Sequence, residues 1–332
     1  MKKRILVFLV LTIFFVTGCF TKKDDSLKSI IKKYDNLKAY SLTGDLEIIN
    51  NDDTYNYDVK VIYQKKDKFF VSLKNRDNSH EQIILKNEDG VYVITPSLNK
   101  SFKFQSDWPY NNSQVYLIQS IIDDIKKDNE KSIVKDNSNT IITTSVNYPN
   151  NNKLEKQIVT FNKDYNLKSV SVVDDNSIKQ MTMVFKTIDL KPSGINKDTF
   201  DINKIIDVNN NTEQNEKTST LDDIIYPLYI PSGTVLTNSE KVNKTNGERV
   251  IMTFEGEKPF LLVEETADVL DEFSVIPTYG EPFLLIDTVG ALTDSSISWN
   301  SNGVDYYLVS DVMSQNELID IAKSVNAIPV MK

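Results

Sequence analysis

The residues able to do chemistry are few. Histidine and cysteine each occur once, as His80 and Cys19. That excludes a zinc site built only from Cys and His, an intrachain disulfide and a Cys-His catalytic pair. A Ser-His-Asp triad would have to use His80, which sits in Asn78-Ser79-His80-Glu81 at a turn leading into a strand and is expected to be solvated there. The ten glycines never fall two apart and no Gly-Lys-Ser/Thr occurs, so nucleotide binding by the usual glycine loops is excluded. The paired acids Asp123-Asp124, Asp174-Asp175, Asp222-Asp223 and Glu264-Glu265 could perform glycosidic acid-base chemistry only if two converged across a cleft. Neighbouring acids in a strand point to opposite faces. The Asp-rich turns also lack the spacing of a calcium loop. The expectation is a protein that is not an enzyme and carries no cofactor.

What remains is apolar. Tyr55, Tyr57, Val59, Val61 and Tyr63 alternate with Asn56, Asp58, Lys60, Ile62 and Gln64, and Phe69, Val71 and Leu73 continue the pattern in the next run. These eight side chains, with Phe70, Phe102, Phe104 and Trp108 nearby, could line an apolar groove on the inner face of a curled sheet; equally, they could be its core.

The elements that must position them follow from the hydrophobic period. Leu27, Ile30, Ile31, Tyr34 and Leu37 recur at helical spacing and predict an amphipathic helix packed on a sheet. From residue 41 to about 190 the pattern is strand after strand, with runs at 69–73, 82–85, 91–95, 101–104, 140–147, 156–161, 167–173 and 180–190. Asn- and Asp-rich clusters such as Asn87-Glu88-Asp89-Gly90 separate them, as hairpin turns require. About ten or eleven strands are expected, which one twisted sheet holds only by curling. Ile118, Ile121, Ile122 and Ile125 interrupt the series with a helical stripe, expected to plug the concave face.

Residues 208–220 (VNNNTEQNEKTST) have almost no apolar side chain and no period, which predicts a linker. Charge divides the chain at the same place: residues 19–220 hold 29 Lys+Arg and 29 Asp+Glu, whereas 221–332 hold 6 and 18. The second part predicts short strands at 235–236, 249–254, 260–264, 283–286, 296–299 and 305–309, then a helix in which Leu318, Ile321, Ala322 and Val325 share a face. Ser314 and Glu317 have the spacing of a capping box. The domain plan is therefore a curved-sheet domain over 27–207, the linker and a small acidic α+β domain over 221–332. The whole has 332 residues and a net charge of −9, enough for two modest domains and a poor match to nucleic acid.

Met1-Lys2-Lys3-Arg4 and the 12 apolar residues Ile5 to Val16 have the form of a signal-peptide core, short for a membrane span. The run ends in Val16-Thr17-Gly18-Cys19, which resembles the lipobox of bacterial lipoproteins: residues 1–18 would be removed between Gly18 and Cys19, and the thiol acylated. Two acyl chains suffice for stable anchoring where one is marginal. Residues 19–26 would then tether the protein to the outer face of the cytoplasmic membrane.

The order of parts is that of a known family. Lipobox, helix, meander with an inserted helix, then Lys191-Pro192-Ser193 and Phe200 resemble the LolA/RseB superfamily, in particular the outer-membrane lipoprotein-sorting type found as lipoproteins in spore-forming Gram-positive bacteria. Tyr229-Ile230-Pro231-Ser232-Gly233, the stretch from Ile297 to Leu308 and the segment Glu317 to Val325 resemble the small domain that follows in the sporulation lipoproteins and in RseB. The resemblance implies an α+β protein: a strongly curved, half-open antiparallel barrel with plugging helices that cradles an acyl chain, a lipoprotein or a partner protein. It also implies an alternative role, regulation of a membrane or cortex-hydrolysing partner, and the acidic second domain would favour a partner with a basic patch. LolA itself is a soluble shuttle, whereas Cys19 would fix this chain in place. Replacing the acylated thiol, Cys19→Ser, is expected to release the protein from the membrane fraction or leave it unprocessed, as read by fractionation and palmitate labelling; full retention with normal signal removal would refute the anchor.

Overall fold

The computed structural model describes residues 25–50, 53–136, 138–148, 151, 153–210, 221, 224–285 and 288–325. Cys19, the signal segment and residues 19–24 of the expected tether lie outside these residues, whereas Asp25 and Ser26, expected to belong to the tether, open the first helix.

Helix α1 (Asp25–Tyr34) buries Ser26, Ile30 and Tyr34, one residue per turn of the same face. It ends before Leu37, and the chain enters a meander of β1 (Ala39–Asn50), β2 (Asp53–Gln64), β3 (Lys68–Asn75), β4 (Glu81–Asn87), β5 (Gly90–Thr95) and β6 (Lys100–Phe104). Helix α2 (Ile118–Lys127) follows, then a second meander: β7 (Ser132–Asp136), β8 (Asn139–Ser145), β9 (Leu154–Asn162), β10 (Leu167–Asp174) and β11 (Lys179–Asp189). β11 returns to pair antiparallel with β1, with Leu42 opposite Ile188 and Ile48 opposite Met181, so the two meanders become one sheet.

The curl shows in the core. One buried cluster takes Tyr40, Leu42 and Leu46 from β1, Val59 and Val61 from β2, Phe69 from β3, Val93 from β5, Ile142 from β8, Val159 from β9 and Val170 from β10, and closes around Ile118, Ile121, Ile122 and Ile125 of α2. A flat sheet could not bring strands from both meanders onto one ten-residue helix; the curved inner face wraps it, as the isoleucine stripe predicts. The sheet stays open, because no pairing joins its two edge strands among the described residues. β4 and β5 are buried on both faces: Ile84 and Val93 point into the main core, while Ile83, Leu85, Tyr92 and Ile94 pack outward on Phe200 and Ile205. That explains the uninterrupted apolar runs Ile83-Ile84-Leu85 and Val91 to Thr95. Ile205 belongs to α3 (Ile202–Asn210), a helix not expected from sequence, which occupies the first positions of the expected linker; residues 211–220 lie outside the described set.

The second part forms β12 (Thr234–Lys244), β13 (Gly247–Gly256), β14 (Phe260–Thr266), β15 (Ser274–Thr278), β16 (Glu281–Leu284), β17 (Val289–Leu292), β18 (Ser296–Ser301), β19 (Val304–Val309) and α4 (Gln315–Ser324). Seven of these strands make a sheet ordered β12-β13-β14-β19-β18-β17-β16, with α4 packed through Leu318, Ile319 and Ile321. Ser314 caps α4 as expected: its hydroxyl accepts from Glu317 N, and the Glu317 carboxylate accepts from Ser314 N at 3.0 Å. β12 runs 11 residues rather than the two expected, since its polar, exposed positions hide the alternation. β7, β15 and β17 are likewise absent from the sequence pattern; they are short, of five, five and four residues.

The two parts are stitched together. β15 adds to the first sheet as a parallel twelfth strand beside β6, with Ile276 opposite Phe102. Gln82, which is 4% exposed, reaches across the seam: its Oε1 accepts from Val289 N at 2.5 Å and from the Thr288 hydroxyl at 3.1 Å, while its Nε2 donates to Val289 O at 3.4 Å. Lys100 pairs with Asp305 at 3.4 Å and Asn78 donates to Asn302 at 3.1 Å. Gln82→Leu would orphan a buried N–H and C=O, at a cost of about 1–3 kcal/mol for each group. Urea unfolding followed separately at Trp108 and Trp299 should then split into two transitions where the unaltered protein shows one; a single unshifted transition would refute the coupling.

Candidate ligand site

The eight side chains expected to line a groove are instead largely sealed. Tyr57, Val59, Val61, Tyr63, Phe69, Val71 and Leu73 are all buried in the main core, and Tyr55 packs half-buried against it. None of the eight lines either large cavity of the described structure. They act one layer down: Tyr40 stacks on Tyr63 with centroids 5.2 Å apart, Tyr63 tilts on Phe69 at 4.9 Å, and Phe69 meets Trp108 edge-on at 5.7 Å. Trp108 is the member of this series that forms a cavity wall.

That cavity, of 720 Å³, lies between the open end of the curved sheet and the second domain. Its first wall is apolar, from Ile48 and Ile49 at the end of β1, Ile84 of β4, Leu154 at the start of β9 and Met181 of β11, with Trp108 and the segment Asn112 to Tyr116 beside them. Its second wall comes from the C-terminal part: Tyr229, Pro282 to Leu285, Val289, and Asp320, Lys323 and Ser324 on the last turn of α4. The two sides touch where Asn50 Nδ2 donates to Lys323 O at 3.3 Å. Burial pulls the Lys323 ammonium below the usual lysine range; nearby Asp320 opposes the shift and Lys153 adds to it. A second cavity, of 530 Å³, opens between β5, β6 and β15 on one side and β13, β14, β18 and β19 on the other, with Lys100, Phe102, Trp299 and Asn300 on its walls.

The other titratable groups hold structure. Asp124 of α2 points inward, accepts from Gln157 Nε2 at 3.0 Å and is pushed up to about 6 by burial, while Asp123 faces Lys126 at 3.8 Å. Asp174 spends its carboxylate on the amides of Asn176 and Ile178 and on Gln180. Glu264 and Glu265 point to opposite faces of β14: Glu265 pairs with Lys244 and Arg249, and Glu264 is fully buried, accepting from Ile225 N at 3.1 Å with its second oxygen unpartnered. Asp222 and Asp223 lie outside the described residues. His80 is not the solvated turn residue expected. Its Nε2 is buried without a partner, and that desolvation lowers its pKa. No cluster able to hold a metal ion occurs among the described residues, nor does any helix there have the length and apolarity to cross a membrane.

A curved antiparallel sheet wrapped on one helix, capped by a small second domain with a cavity at the junction, defines the architectural class. Among known proteins, the chain is similar to the sporulation protein YdcC of Bacillus subtilis (strain 168), at 34% identity over 319 residues, covering 95% of this chain and 94% of that one. The chain belongs to that protein's family. No family model matches it. Its structural neighbours include MucB in the MucA/MucB complex of Pseudomonas aeruginosa, with 10% identity, 91% of this chain and 98% of that chain covered and a TM-score of 0.33. Others are a LolA superfamily protein from Nitrosomonas europaea, with 10% identity, 53% and 98% covered and a TM-score of 0.30, and the Clostridioides difficile CwlD amidase–GerS lipoprotein complex, with 18% identity, 49% and 93% covered and a TM-score of 0.24.

Glu264 makes stability pH-dependent. Burial raises its pKa from 4.5 to about 7, so the folded state holds the proton more tightly than the unfolded one. Its contribution is complete below about 4.5 and is lost as pH rises through about 7. The full shift corresponds to roughly 3 kcal/mol. Glu264→Gln should flatten the stability profile between these limits and raise the midpoint of chemical denaturation on the alkaline side relative to the unaltered chain; parallel profiles for the two proteins would refute the assignment.

Proposed function

We propose that this protein is a non-enzymatic, extracytoplasmic binding protein of sporulating cells, anchored to the membrane through Cys19, that holds an apolar ligand in the cavity between its two parts. The observation that carries this reading is the cavity itself. At 720 Å³ it has the capacity of a site for one small ligand, and Ile48, Ile49, Ile84, Leu154, Met181 and Trp108 give it an apolar wall. The family's sporulation relative supports the cellular setting. The binding surface thus moves from the mid-strand residues 55–73 to the open end of the sheet, and the groove residues serve as the packed floor beneath Trp108. Residues 27–207 and 221–332 act as two units joined through 208–220, with β15 as the strap between them.

A second reading, regulation of a partner protein, is favoured by one feature. β12 is an edge strand of 11 residues whose positions are nearly all exposed, an open ladder to which another chain could add. The surplus of carboxylates over 221–332 would draw a basic partner there.

Leu154 is half-buried on the cavity wall, so Leu154→Arg is expected to abolish saturable uptake of a fluorescent fatty acid while the circular dichroism spectrum stays native. Absence of uptake by the unaltered chain, together with purification as a lipid-free protein complex, would overturn the apolar-ligand reading in favour of the regulatory one.

A further inference from the structure

The cavity is apolar along the sheet but not at its far end. Lys323 brings an ammonium to the wall formed by α4, where among the described residues it makes no ion pair and no side-chain hydrogen bond. Neither of the two carboxylates in the cavity lining, Asp174 from β10 and Asp320 from α4, forms an ion pair with it. Asp174 is committed to two turn amides and Gln180, and Asp320 is exposed at the rim, one turn before Lys323 on the helix and beyond ion-pairing distance. Lys153, the remaining cation of the lining, is exposed at the rim. A half-buried ammonium with no ion pair at a largely apolar cavity is poorly solvated, and an acidic group supplied by a ligand would relieve it with a charge-assisted hydrogen bond.

The rim points the same way. The segment at the mouth exposes Tyr226, Leu228, Tyr229 and Ile230, with Leu228 75% exposed although its N–H is tied to Ser324 O at 3.1 Å. This fixed apolar lip sits beside the turn of α4 that carries Lys323, so an acyl chain passing over it enters against the apolar wall and leaves its head at the ammonium.

We propose that the interdomain cavity binds a single-chain anionic amphiphile, its chain along Ile48, Ile84, Leu154 and Met181 and its acidic head on Lys323. The assignment rests on the apolar-ligand reading above and adds the charge of the ligand. A carboxylate and a phosphate head share this chemistry, so a free fatty acid and a lysophospholipid are the two sources. The ordinary duty of a lysine in a helix's last turn is to meet the helix dipole, a role that would confer no preference among ligands.

Trp108 provides the readout because it forms part of the cavity wall. In the full mature chain carrying Trp299→Phe, titration at neutral pH with a dibrominated octadecanoate should quench Trp108 saturably. The matching dibrominated alcohol should bind about tenfold more weakly, the worth of one charge-assisted contact. Lys323→Gln should erase that difference and Lys323→Arg should preserve it. A dibrominated lysophosphatidylglycerol that binds more tightly than the fatty acid assigns a membrane lipid as the source; the reverse order assigns free fatty acid. Equal affinity for acid and alcohol in the unaltered chain, or a preference that survives Lys323→Gln, overturns the head-group assignment while leaving an apolar cavity. No quenching by any of the ligands overturns the reading on which it rests.

Discussion

The architecture depends on a mismatch of lengths. β1 has 12 residues and spans about 40 Å at the rise of an extended strand, whereas α2 has 10 and spans about 15 Å. A helix that short can fill only part of an inner face that long. The end near the α1–β1 connection is filled by α2 and the aromatic series Tyr40, Tyr63 and Phe69; the far end would expose Ile48, Ile84 and Met181 to water. The second domain covers that end. It does so incompletely, because its contacts run along the edge at β6, Gln82 and Asn50, and a cavity stays open where plug and cap fail to meet.

The seam is made polar where it is tightest. Gln82 satisfies both the N–H and the C=O of Val289 in a place water cannot reach, and the parallel pairing of β15 with β6 satisfies the edge of the first sheet. These bonds are lost together if the domains part, so the junction holds one geometry. The cavity is correspondingly preformed, which lowers the ordering cost a ligand would otherwise meet. The second domain thereby serves both as cover and as the source of the charged wall.

Three carboxyl groups with shifted pKa values show how one chemical type is used in different ways. Asp124 and Glu264 are raised by burial and anchor a helix and a loop, while the Asp128 carboxylate is lowered to about 2 by backbone amides of Ser145 and Glu130. None lines the cavity. These carboxyl shifts therefore mark structural points of this fold, whereas the cavity is set apart by shape and apolarity, with the Lys323 ammonium, held below the usual lysine range, at one end.

Much of the local structure was legible in the sequence because its signals are periodic. Alternation over 55–63, the isoleucine stripe over 118–125 and the Ser314–Glu317 box each depend on residues a few positions apart, and each appears as expected. The sequence also placed Tyr63 and Phe69 on the inner face, where they are found. Whether that face was core or groove could not follow from alternation, which says which side a residue faces and nothing about what lies opposite. That was decided by α2 and by Trp108, 39 residues beyond Phe69 in the chain. The cavity brings Ile48 of β1 together with Lys323 of α4, and β15 joins a strand 174 residues earlier, as Ser274 faces Lys100. No local pattern encodes such meetings, because short strands such as β15 and β17 gain their stability from the partner surface they cover. The cavity wall belongs to the tertiary structure for the same reason: it forms largely from the ends of elements, and element ends are the positions least constrained by hydrophobic period.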